Sequence, residues 1–137
     1  MQGVIGAVLI AHGVITSAIG FATVSNPAAP AMAMPGFMSW WPGPFGRSWL
    51  FEAVGLGSPA AVVGGAVWLL SGLALVAGGL GWLGIGGLAD LRYALLVAGA
   101  GLGVLAVVLY FHPFYLAALL INLAIVALLW SQATAAA

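Results

Sequence analysis

From Gly3 to Val24 the chain reads GVIGAVLIAHGVITSAIGFATV, with no charged side chain anywhere in it. Three further stretches are built alike: about Pro59 to Leu83, about Leu88 to Phe111, and Pro113 to about Trp130. At 1.5 Å per residue, apolar runs of about 18 to 25 residues reach across the roughly 30 Å of a bilayer's hydrocarbon. Four of them leave little choice of solvent. The whole chain of 137 residues holds two Lys/Arg and two Asp/Glu, whereas a soluble domain has about 25% charged residues. So few charges cannot cover a water-facing surface, and lipid or a larger complex must take its place. A transmembrane β-barrel would need alternating strands of about ten residues, and no such alternation is present.

The fold class expected is therefore all-α: an integral membrane four-helix bundle forming one domain over residues 1–137, with helices about 3–24, 59–83, 88–111 and 113–130. The first helix should stop at Asn26-Pro27, because a residue before proline is pushed out of the helical region. It lacks a Lys/Arg region ahead of it, and SNPAAP is a poor cleavage site, so it reads as a retained helix. Ser58 is placed to cap the second helix, with Pro59 at its tolerated first position. Asp90 would sit in the first turn of the third, where a carboxylate suits the helix dipole.

Small residues recur every seven positions. Gly6, Gly13 and Gly20 do so in the first helix, and Gly65, Gly72 and Gly79 in the second. Gly99 and Gly103 lie four apart in the third, and Ala117, Ala124 and Ser131 seven apart in the fourth. A stripe of this period is one face of a left-handed helix pair. In lipid, small residues let backbones come close enough for dispersion to hold them. Gly13 and Gly72 should therefore resist enlargement more than Gly84, which lies in a loop.

The connections are unequal. Helices three and four are joined by little more than His112-Pro113, where Pro113 marks a tight hairpin. The loop between helices one and two, residues 25–57, is long, aromatic and proline-rich. It carries five of the seven prolines (Pro27, Pro30, Pro35, Pro42, Pro44) and the side chains Met32, Met34, Met38, Trp40, Trp41, Phe45, Trp49 and Phe51. A disordered linker would be polar. This one should fold over the bundle end, as an aromatic anchor at headgroup level or as a lid over a cavity. Arg47 and Glu52 should pair. Arg92 should snorkel as an interfacial anchor.

Polar residues inside the runs are few, and such residues usually face the bundle interior. His12 lies mid-helix beside Gly13, with Thr16 one turn on. Asn122, mid-helix in the fourth run, is its natural partner. His12, Thr16 and Asn122, with Trp49 of the loop, are the candidate ligand-binding residues. His112 is expected near water at the turn, with no partner needed. The sequence holds no cysteine, no H-x-x-x-H or H-E-x-x-H, and no paired carboxylates, so no catalytic or metal-binding constellation is visible. Whether it is an enzyme stays open. Two arginines cannot neutralise a row of phosphates, which excludes nucleic acid. The bilayer is the expected partner, with other membrane subunits or a second copy as further candidates.

Four segments, AHGVITSAIGF, GPFGRSWL, GGAVWLLSGLALVAGGLG and LYFHPFYLAALLINLAIV, occur in that order and span most of the chain. The pattern resembles the DoxX-like group of small four-helix bacterial and archaeal membrane proteins. Members similar to this carry His-Gly in the first helix, Gly/Ser-Trp-Leu ahead of the second and an aromatic-Pro turn before the fourth. The arginine-rich or acidic positions of some relatives are absent here. The resemblance implies a prokaryotic plasma-membrane protein tied to thiosulfate–quinone oxidation or a redox-stress complex. It carries over no catalytic set. The expected functions are binding of a hydrophobic ligand, a quinone or a lipid, or support of a redox partner; the alternative is a structural accessory subunit. Both termini are expected in the cytoplasm, because the long aromatic loop is more comfortable outside.

Overall fold

The computed structural model describes residues 1–135, the side chains at 58, 133 and 135 excepted. It is all-helical among the described residues: α1 (Gln2–Ser25), the single-turn α2 (Trp49–Glu52), α3 (Gly57–Trp82), α4 (Arg92–Leu109) and α5 (Leu116–Ala135). Four of these helical stretches are long and apolar enough to cross a membrane.

The helix ends follow local chemistry. α1 stops at Ser25 because Asn26, ahead of Pro27, leaves the helical region (φ −142°). α3 starts earlier than Ser58 would imply. Gly55 takes a positive φ of 74°, the chain turns there, and Leu56 becomes the N-cap. Pro59 still falls in the first turn, where its missing N–H costs nothing. α3 ends in a Schellman motif: Ile85 N–H reaches Leu80 O at 3.0 Å and Gly84 N–H reaches Gly81 O at 3.0 Å, with Gly84 at φ 78°. A 3₁₀ turn (Gly86–Leu88) follows, so α4 begins at Arg92 and Asp90 lies before its first turn, not in it. His112 and Pro113 open a 3₁₀ turn (Pro113–Tyr115) that runs into α5.

α1 and α3 pack antiparallel through their glycines. A Cβ on Gly13 would sit 2.7 Å from the Gly72 carbonyl oxygen, and one on Gly20 would sit 2.7 Å from that of Gly65. Gly79 faces Ile10, and Gly6 faces Leu83. Gly99 of α4 abuts Leu75, and Gly103 abuts Asn122 of α5. α4 lies between α3 and α5, so α1 and α5 are the bundle's two outer members. Ala117, Ala124 and Ser131 are exposed on the outer face of α5; that stripe packs against nothing within the chain. Two apolar clusters fill the interior. One (Leu9, Leu75, Leu96, Ala100, Ile125, Leu129) lies toward the termini. The other (Phe45, Trp68, Ala106, Val107, Tyr110, Tyr115) lies under the loop.

Candidate functional site

Between the two clusters sits a polar layer. It is built from His12 and Thr16 of α1, Ser71 of α3 and Asn122 of α5, all buried. Each lies inside its helix rather than at an end, so three apolar runs bring these few polar residues to one depth. His12 Nε2 donates to Asn122 Oδ1 at 3.1 Å. Thr16 turns its hydroxyl back onto the His12 carbonyl at 2.8 Å. Ser71 does the same across helices, donating to Gly99 O at 2.7 Å. The small glycines 99 and 103 are what let Ser71 and Asn122 approach α4.

His12, Thr16 and Asn122 thus come together, and Trp49 does not join them. Its indole N–H donates to Val108 O at 3.0 Å, at the C-terminal end of α4. That is about 7 Å along the helix from Gly103, the neighbour of Asn122. The His12–Asn122 hydrogen bond acts as a clasp between α1 and α5, and a cleft lies toward each end of the bundle. Toward the loop lies a cavity of about 440 Å³, lined by Ala18, Ile19 and Ala22 of α1, by Met32 and Arg47 of the loop, and by Tyr115. Toward the termini lies one of about 650 Å³, lined by Gln2, Arg92, Tyr93 and Gln132. His12, Thr16 and Asn122 line neither.

The loop caps the bundle through specific bonds. Ser48 accepts from Phe51 N–H to start α2 and donates to Leu109 O at 2.6 Å. Tyr110 donates to Ala60 O at 2.6 Å. Arg47 pairs with Glu52 and donates to Ala29 O. Phe45 stacks on His112, with ring centroids 4.7 Å apart. His112 is consequently fully buried, against the expectation of a solvated turn. Its Nδ1 accepts from Phe114 N–H at 3.1 Å. Its Nε2 must then carry the proton, which it donates to Met34 Sδ at 2.9 Å. Burial holds the His112 pKa below the ordinary 6.5.

Sequence reasoning missed Tyr115. It lies against Trp68 and Phe45 and lines the loop-side cleft, yet its hydroxyl has no hydrogen-bond partner among the described residues. Only its place three residues after His112 in an apolar run could have drawn attention to it. Among those same residues, no three His, Cys, Asp or Glu side chains converge as a metal site would need. Comparison with protein-family profiles, curated proteins and solved structures finds no match for this chain.

Proposed function

We propose that this is a small integral membrane protein that holds an apolar ligand with a hydrogen-bonding head, a quinone or a lipid, in the cleft between α1, the long loop and Tyr115. The observation that carries the reading is Tyr115 on the wall of that cleft, with no hydrogen-bond partner for its hydroxyl among the described residues. A ligand site is typically a concavity of about 300–1,000 Å³, mostly apolar, with a few placed polar groups. The 440 Å³ cleft has that size and that lining. A buried phenol prefers a partner, and a ligand carbonyl or ester oxygen would supply one. The loop then serves as a lid, since Met32 and Arg47 line the cleft from above. The His12–Asn122 clasp lies outside the cleft and would act on it only by holding α1 and α5 together. The motif resemblance to the DoxX-like group, with its quinone-linked members, supports the same ligand class. On this reading the protein sits in a prokaryotic plasma membrane with both termini cytoplasmic.

The test is purification in a mild detergent, organic extraction and mass spectrometry of what co-purifies. Tyr115→Phe removes one hydroxyl and should lower ligand retention about tenfold, the worth of one buried hydrogen bond. Ala18→Trp fills the cleft and should abolish retention. Full retention in both variants would remove the cleft as the site. A stoichiometric co-purifying protein without any small molecule would favour the accessory-subunit reading instead.

A further inference from the structure

The cavity at the opposite end of the bundle has a different chemistry. Its walls carry Arg92, Gln132, Gln2 and Tyr93, and among the described residues no carboxylate lines it. The two arginines of the chain are treated unequally. Arg47 is neutralised by Glu52. Arg92 donates one Nη1 bond to Ala89 O at 2.8 Å and lies 4.6 Å over the Tyr93 ring, but it has no acidic partner among the described residues. Most of its five donors stay uncommitted. Gln132 has its carbonyl oxygen taken by the Tyr93 hydroxyl at 3.2 Å, so its amide N–H groups are what it has left to offer. Gln2 spends one amide N–H on Trp82 O at 2.7 Å and keeps the other. Arg92 also opens α4, whose N-terminus has no side-chain cap.

Every uncommitted group named is thus a donor or a cation, apart from the Gln2 carbonyl. The cavity opens at a helix end, where a membrane protein meets headgroups, and Ile5 and Trp82 add apolar wall beside its polar groups. We infer that Arg92, Gln132 and Gln2 form a phosphate-binding site, occupied by the headgroup of an anionic phospholipid whose chains lie along the exposed apolar helix faces beside it. Guanidinium matches phosphate oxygens in a two-pronged geometry that an ammonium cannot reproduce. The inference is independent of the loop-side cleft, which lies at the other end of the bundle.

The full-length protein, delipidated in detergent, is titrated with phosphatidylglycerol and then with inorganic phosphate, and adducts are counted by native mass spectrometry. Wild type should retain one phosphatidylglycerol beyond the population shed from Arg92→Gln, whose apparent affinity should fall about tenfold or more. Arg47→Gln, which changes the same charge at the other end, should bind as wild type. Gln132→Leu should weaken binding a few-fold with the arginine intact, which keeps the proposal testable if Arg92→Gln fails to fold. A lipid adduct that inorganic phosphate does not displace assigns the site to the headgroup. Displacement at low millimolar phosphate assigns it to the free anion. Equal lipid retention by wild type, Arg92→Gln and Gln132→Leu, or equal loss in Arg47→Gln, would overturn the site.

Discussion

His112 has both ring nitrogens committed, and that fixes its protonation. Nδ1 accepts from a backbone N–H and Nε2 donates to a thioether that can only accept. A second proton on Nδ1 would face the Phe114 N–H and lose the cap. The native pKa lies below the ordinary 6.5 because burial disfavours the cation. Folding therefore releases protons, so the unfolded chain binds more of them below that value. The resulting stability is fully present above about pH 6.5 and is lost as pH falls through 6.5 toward the lowered native pKa. Thermal melts in detergent at pH 8 and pH 5 should show wild type destabilised by acid, and His112→Leu should lose that dependence while melting lower at pH 8. The loss of the cap alone should cost about 1 kcal/mol. A pH-independent wild type would mean the imidazole is not held neutral. His12 poses the opposite case, a histidine with a side-chain partner from a distant helix. His12→Leu and Asn122→Leu should each destabilise, and the double variant should recover part of the loss. Their coupling should lie within about 0.5–2 kcal/mol, the range of interhelical hydrogen bonds in bilayers. Strict additivity in a double-mutant cycle would dissolve the clasp.

The elements assort by what lies on their faces. α1 and α3 interlock because two seven-residue glycine stripes meet, leaving Gly13 and Gly72 backbone-to-backbone. Gly13→Leu or Gly72→Leu must push the helices apart, at about 1–3 kcal/mol each. Gly84 is no fair comparison, because its positive φ serves the Schellman turn and any L side chain is strained there. Gly101 is exposed mid-helix with open space around it, so Gly101→Leu should be close to neutral or mildly stabilising. Equal melting of all three variants would make the stripes an accident of composition. The glycine period was readable because a helix keeps strict register over six turns. The same period on α5 misled, since Ala117, Ala124 and Ser131 face outward; a period marks a face but does not say what meets it. Helix starts slipped for a related reason. Gly55 and the 3₁₀ turn at Gly86–Leu88 moved the boundaries of α3 and α4, and backbone choices at glycine leave no mark in hydropathy.

At the scale of the whole molecule, four apolar runs dictate an antiparallel up-and-down bundle, and the near absence of charge makes that legible from residue types alone. The His12–Asn122 pairing was legible too, since few polar residues compete at that depth. The clefts were not. They arise where helix ends, turns and the loop meet, and the loop's bonds run to carbonyls at Leu109, Val108 and Ala29, which every residue type carries. The same arrangement fixes where each end must lie. Gln2 bonds to the Trp82 carbonyl and Tyr93 to Gln132, so the start of α1, the α3–α4 turn and the end of α5 share one end of the bundle. The long loop and the His112 turn share the other. In a bilayer these ends face opposite compartments. The chain has no cysteine of its own, so single cysteines report cleanly. Gly36→Cys in the loop and Gly87→Cys in the α3–α4 turn both fall at positions with open space around them. In sealed vesicles, a membrane-impermeant maleimide should label one and spare the other until the vesicles are opened. Labelling of both from the same side would mean that α3, the one long helix between them, does not cross the membrane, and the four-span bundle would fall with it.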